Sequence, residues 1–164
     1  MQVTEIGVVR SNYFEHRLAP QQAAFNADET ALVEMAPLFA DGLRALAEFD
    51  YVWLITWLGD DAVRTNGPLS EVPHLVAHLG HEVGTFATRG PFRPTPIGLH
   101  LVRLVSIEAT HLTFSGVDII DGTPVLDVKP YVKEFDRPVD ADTSSGWYDL
   151  VDFESIAKRR GILS

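Results

Sequence analysis

The sequence predicts a mainly β protein, an antiparallel sheet that curls into a barrel or sandwich, and three observations carry that reading. Strand-like runs follow one another at short spacing from Glu82 to Tyr131, parted by Gly, Pro and Asp-Gly punctuation. An earlier run, YVWLITWL at Tyr51 to Leu58, is apolar at nearly every position and too short for a long helix. No glycine-rich dinucleotide fingerprint opens a βαβ unit, so a parallel Rossmann sheet is not expected.

From the N-terminus, TEIGVVRS is rich in Ile and Val and suits an opening strand, with Gly7 marking a bulge. Residues 14–31 mix polar and small side chains with Pro20 and hold no period, which reads as a long loop of the kind that often carries function. Phe39, Leu43 and Leu46 recur at i, i+4 and i+7 behind Pro37, predicting a short helix from about Pro37 to Glu48 that Gly42 weakens. YVWLITWL reads as a central strand covered on both sides. Gly59 to Pro73 is a second loop. HLVAHLGH after it is ambiguous between helix and irregular structure, because Pro73 precedes it and Gly80 interrupts it. EVGTFATR, LHLVRLVSIE, HLTFSGVDII and TPVLDVKPY read as strands, with Asp121-Gly122 predicting a type I′ hairpin between the last two. A final helix from about Phe153 to Arg160 has Asp152 as N-cap, Lys158, Arg159 and Arg160 in its last turn and Gly161 past its end.

A length of 164 residues allows one compact domain, and 46% hydrophobic with 22% charged residues is a globular composition. Thirteen Lys plus Arg against twenty-three Asp plus Glu gives a net charge of −10, which disfavours a global field for nucleic acid and leaves any polyanion to a local patch. With no Cys, disulfides, iron-sulfur clusters, thiolate zinc sites and a Cys nucleophile are excluded. The start, MQVTEIGVVRSNYF, lacks a signal-peptide pattern, and the longest apolar run falls well short of the ~20 residues of a membrane helix. A cytoplasmic protein without membrane attachment is expected. Glu134 to Glu154 holds seven acids and one base, Arg137, and reads as a solvated excursion anchored by Trp147 and Tyr148.

Chemistry concentrates in three stretches. In FATRGPFRPTPIGLH, residues 86–100, Pro91, Pro94 and Pro96 stiffen a loop that carries Arg89 and Arg93, and no acid occurs from Thr85 through Arg103. Two guanidiniums in a rigid frame either hold a carboxylate or phosphate or neutralise neighbouring Asp side chains. In DIIDGTPVLDVKPY, residues 118–131, strand alternation puts Asp127, Lys129 and Tyr131 on one face. Asp121 is a turn former, and Asp118 sits in an apolar setting where its carboxylate needs a partner, structural or functional. His74, His78 and His81 have a spacing that admits a transition metal on one helical face, but Pro73 and Gly80 oppose a clean helix, so exposed or packing histidines are preferred. No metal site is expected, and no GxSxG, Walker or HExxH motif occurs.

Four segments, IGVVRSNY (6–13), FDYVWLITW (49–57), FATRGPFRPTPIG (86–98) and DIIDGTPVLDVKPY (118–131), resemble in order and spacing the TrmO family, also called TsaA-like or YaeB-like. The resemblance runs from about Val3 to Trp147. It implies a small antiparallel β-barrel-like domain with one to three short helices over residues 1–147, and a helical tail of the same domain at 148–164. A short form, without the extra C-terminal domain of longer bacterial members, is expected. It further implies S-adenosyl-L-methionine as cofactor, a homodimer, and methylation of N6 of threonylcarbamoyladenosine beside the tRNA anticodon. Cofactor contacts carried over are Arg89, Leu99, Ser115, Gly116, Val117 and Asp118, and also Ala23, Ala24, Phe25, Gly59 and Asp60, whose residue types match the family less well. Arg93 and Lys129 are the candidate substrate contacts, and the base is sought among Asp127, Tyr131 and Asp118. Gly90, Thr95 and His100 depart from the family, which often has Ser, Asn and Ser there. An alternative is a module that binds the cofactor without catalysis, or a methyltransferase with another substrate.

Overall fold

Alternation along Tyr51–Trp57 sends Val52, Leu54 and Thr56 to a fully buried face and leaves Tyr51, Trp53, Ile55 and Trp57 at least partly exposed. The computed structural model, which describes residues 2–15, 18–20, 22–23, 26–139 and 142–153, turns that pattern into the wall of a closed barrel. The chain groups into two compact units, Met1–Gly59 with Ile97–Asp136, and Asp60–Pro96 with Arg137–Ser164.

The first unit holds the barrel. Its strands are β1 (Gly7–Arg10), β2 (Thr30–Met35) and β3 (Tyr51–Trp57), and, beyond the short strands β4 (Ser70–Glu71) and β5 (Val83–Gly84) of the second unit, β6 (Ile97–Glu108), β7 (His111–Ser115) and β8 (Pro124–Pro130). The barrel order is β1-β2-β7-β6-β3-β8, and each pairing is antiparallel. The expected mainly β, barrel-forming class is therefore the observed one. Two register shifts flank β3's neighbourhood: the β6–β7 pairing skips Val105 between Leu104 and Ser106, and the β3–β8 pairing skips Leu126 between Val125 and Asp127. Such extra residues bend and twist a strand, which is what a sheet needs to close on itself. Inside lie Val9, Val33, Val52, Leu54, Val102, Leu112, Phe114, Val117, Ile119 and Val125, each essentially without solvent contact.

Several local expectations are corrected. Gly7 marks no bulge, since its register with Met35 and Val125 is regular. It is glycine because a Cβ there would come within 2.7 Å of the Glu34 carbonyl. The loop expected over 14–31 gives way at Thr30 to β2, whose buried Ala31, Val33 and Met35 alternate with more exposed neighbours. The single helix expected over Pro37–Glu48 is two 3-10 segments, Pro37–Leu43 and Leu46–Glu48, parted by Ala45 in the left-handed region at φ 64°. β3 is central in the sheet but sealed on its inner side alone.

The Asp-Gly hairpin is also corrected. β7 and β8 do not pair. The Ile120–Thr123 turn, with Gly122 at φ 79°, instead joins β1: Gly122 N–H donates to the Val9 carbonyl at 2.9 Å and Val9 N–H to the Thr123 carbonyl at 2.9 Å. The two-residue hairpin turn is Ala109-Thr110, between β6 and β7. The strand expected as HLTFSGVDII stops at Ser115.

In the second unit, EVGTFATR is strand at Val83–Gly84 alone and then a 3-10 turn at Thr85–Ala87. HLVAHLGH is a kinked 3-10 segment, His74–Leu79, ended by Gly80 in the left-handed region. The expected C-terminal helix lies, beyond Phe153, outside the described residues.

Candidate functional site

The strongest polar cluster of the first unit grows out of three inward-facing positions. Thr56 is the one polar residue in YVWLITWL, and its parity sends it into the barrel, where it is fully buried. His100 stands opposite Leu54 on β6 and therefore points the same way. Its Nε2 lies 3.0 Å from Thr56 Oγ1, and its Nδ1 lies 2.8 Å from Asp118 Oδ1. The other Asp118 oxygen accepts the Ala23 N–H at 2.9 Å. The His100 and Asp118 side chains are each about 10% exposed, so both atoms of the carboxylate have partners where an unpaired charge would be costly. Gly98 makes room for the group: a Cβ there would collide with Thr56 Oγ1, His100 Nε2 and Leu58 Cδ2.

A second network pins the segment before Asp118. Asn26 Nδ2 donates to the Val117 carbonyl at 2.9 Å and to Glu29, Tyr13 Oη donates to the same Glu29 carboxylate, and Asn12 Nδ2 reaches it at 3.3 Å. Val117 N–H donates to the Asn26 carbonyl and Gly116 N–H to the Glu29 carbonyl. The Tyr13 and Asn26 hydrogen bonds hold the Glu29 carboxyl below its usual range. Burial, and then the neighbouring Glu29, push the Tyr13 phenol up. Ser11 completes the clasp, donating through Oγ to the Ile119 carbonyl at 2.7 Å, while its N–H meets Asp121 Oδ1 at 3.1 Å.

Of the residues carried over as cofactor contacts, Ala23 and Asp118 touch directly, Ser115, Gly116 and Val117 run into Asp118, and exposed Leu99 adjoins His100. Gly59 ends the first stretch of this unit at φ 102°. Ala24 and Phe25 lie outside the described residues. The backbone N–H groups of Gly116 and Val117 are already committed within the chain, so the edge that this segment offers a ligand is narrower than the sequence implied.

Asp127 and Lys129 do share a face, ion-paired at 2.7 Å, and Tyr131 packs edge-on to Tyr51 and tilted against Trp53. That face is the outer one. Asp127 is opposite Ile55 and Lys129 opposite Trp53, whereas Thr56 and His100 point inward. Asp127 also lines a groove of about 510 Å³ with Ile6, Leu38, Phe39 and Phe49.

In the second unit, Arg93 braces its own loop. Its guanidinium donates to the carbonyls of Gly90, Thr85 and Thr88 at 3.1–3.3 Å. Asp60 opens a 3-10 turn, and the Arg89 N–H meets the Tyr148 hydroxyl at 3.3 Å. Phe86 and Phe92 are exposed, the Arg64 guanidinium lies 4.6 Å over the Phe92 ring, and Trp147 stacks on Tyr148 while donating to the Ala87 carbonyl at 2.7 Å. The anchoring role read for Trp147 and Tyr148 holds in that sense. His74, His78 and His81 are exposed, and no group of three metal-ligating side chains occurs among the described residues. No helix there is long and apolar enough to cross a membrane.

Thr56, Tyr13, Asn26 and Glu29 were missed by reasoning on sequence, and His100 was noted only as a departure. A lone polar residue at an inward position of an apolar strand is the signal that points to Thr56.

A closed six-stranded barrel with a nearly buried carboxylate at its core defines the class, a small barrel with a polar inner site. Residues 8–137 match the family described as tRNA-methyltransferase O N-terminal domain, and the chain belongs to it. It is 40% identical over 146 residues to a probable S-adenosyl-L-methionine-binding protein of Pyrococcus abyssi, spanning 88% of this chain and 74% of that one. It is 32% identical over 149 residues to the tRNA (adenine(37)-N6)-methyltransferase of Escherichia coli, spanning 87% of this chain and 63% of that protein. A crystal structure of TrmO from Pseudomonas aeruginosa superposes with a TM-score of 0.69 at 33% identity, over 89% of this chain and 62% of that one. The chain thus spans less than two thirds of the E. coli and Pseudomonas relatives.

Proposed function

We propose that this protein binds S-adenosyl-L-methionine through its first unit and directs methyl transfer to N6 of an adenosine in tRNA, threonylcarbamoyladenosine beside the anticodon. One observation carries the reading. Ala23, the Leu99–His100 step and Ser115–Asp118, far apart in sequence, converge on one nearly buried carboxylate. The names of the Pyrococcus and Escherichia relatives supply the ligand and the reaction.

The residues present fit such a ligand. Asp118 can accept from a ribose hydroxyl or an amino group, and a negative carboxylate also suits a cationic cofactor. When bound, the cofactor supplies an electrophilic methyl group. The chain's part is orientation, holding the acceptor nitrogen in line, and removal of one proton from it. Of the three candidate bases, Asp118 shares the inner side with His100, while Asp127 and Tyr131 belong to the outer face. Arg89 and Arg64 with the exposed Phe86 and Phe92 give the second unit cations and rings suited to phosphates and unstacked bases. A homodimer belongs to the same proposal, and light scattering checks it.

Purified protein incubated with methyl-labelled cofactor and tRNA lacking the mark should label adenosine N6. Binding of the cofactor without label transfer would select the second reading, a binding module, which the name of the Pyrococcus relative favours. Absence of both would remove the proposal.

A further inference from the structure

Thr56, His100 and Asp118 have the connectivity of a hydroxyl–imidazole–carboxylate triad. Nucleophilic catalysis is excluded by burial: Thr56 has no solvent contact, and its hydroxyl is packed against the Gly98 backbone. The triad must act through its other end, Asp118. An ionised carboxylate only accepts hydrogen bonds, so the His100 nitrogen facing it, Nδ1, carries the proton. Nε2 lies 3.0 Å from the Thr56 hydroxyl, which can donate to it or accept from it. The ring is held between an oriented hydroxyl and the carboxylate. Around it, β3 presents Leu54 and Thr56, β6 presents Gly98 opposite Thr56, and the Leu58 side chain closes one side. Asp118 is the charged group that bonds it, and the charge of that carboxylate is shared with the Ala23 N–H.

We infer that His100 is a positioning residue: it holds the rotamer of Asp118 and sets how strongly that carboxylate accepts from a ligand. The inference rests on the proposed cofactor reading for its ligand but on this chain's own residues for its geometry. Removing the Nδ1 donor would take that partner from Asp118 Oδ1 and leave the carboxylate rotamer less firmly held, so ligand affinity should fall.

Two measurements test this. Imidazole nitrogen NMR of the unliganded protein should show His100 as the Nδ1–H tautomer, and Asp118→Asn should abolish that preference. Calorimetric titration with S-adenosyl-L-methionine then compares wild type, His100→Asn and His100→Ala, each checked for folding by thermal melting. Asparagine keeps a donor near the Nδ1 position. His100→Asn should stay within about twofold of wild type, and His100→Ala should lose about tenfold. Unaltered affinity in a folded His100→Ala protein, or a loss in His100→Asn as large as in His100→Ala, overturns the inference. So does an Nε2–H tautomer. A wild type that shows the Asp118-locked tautomer yet binds no cofactor refutes the cofactor reading instead.

Discussion

Single residues do two separable jobs around Asp118, holding charge and making space. Glu29 holds charge. Its folded pKa is lowered from 4.5, first by the Tyr13 hydrogen bond and then by Asn26. A depressed carboxyl contributes stability that is complete above its unfolded pKa and is lost as pH falls through its folded value. The clasp of Tyr13, Asn26 and Glu29 on Val117 should therefore open below about pH 4.5, and Glu29→Gln should flatten that acid limb of the stability curve. Tyr13→Phe should cost about 1.5–3 kcal/mol above that pH, the range for a hydrogen bond to a charged group. Urea titrations at several pH values check both. Gly98 makes space. Its dihedrals are not left-handed, so Gly98→Ala acts by overlap with Thr56, His100 and Leu58 and should destabilise by about 1–3 kcal/mol, read from the urea midpoint.

Elements were legible in proportion to how much of their periodicity came from burial. β3 declares itself because Val52, Leu54 and Thr56 alternate with half-exposed neighbours, and β6 and β7 follow from the same arithmetic. Elements governed by pairing partners were not legible. Asp121-Gly122 has the residues of a hairpin turn, but Val9 in β1 and Tyr13 just beyond it offer backbone partners, and the turn joins β1 rather than linking β7 to β8. Ala109-Thr110 carries no turn signature, yet β6 and β7 make it the hairpin because their register leaves two residues between Glu108 and His111. Ala109 takes φ 52° there, a conformation that costs an L-residue roughly 1–2 kcal/mol. Ala109→Gly should therefore raise the midpoint of thermal unfolding, while an unchanged or lowered midpoint would show that the loss of unfolded-state restriction outweighs the relief. The same limit applied to the site. Ser115 and Leu99 came from family resemblance and Asp118 from its apolar setting as well, while the Thr56–His100 connection needed the register of β3 against β6. Arg93 likewise has the sequence appearance of an anion ligand, and its three carbonyl partners became visible only with the loop's fold.

The whole molecule pairs an acidic chain with an acid-free stretch, and this bears on substrate more than on cofactor. On the proposed function, and at a net charge of −10, an RNA substrate would be held through few contacts around Arg64, Arg89, Phe86 and Phe92. The slope of log affinity against log salt should be modest, close to −0.9 or less per phosphate contacted, and a filter-binding series in increasing salt measures it. On the same proposal, cofactor binding would depend instead on the inner carboxylate of the barrel. The most direct test is calorimetric titration of S-adenosyl-L-methionine into wild type and Asp118→Asn at neutral pH. Wild type should show saturable one-to-one binding, and the variant a loss of about 1.5–3 kcal/mol, roughly tenfold or more in Kd. Equal affinity in a folded Asp118→Asn protein, or no binding by wild type, would contradict the proposal.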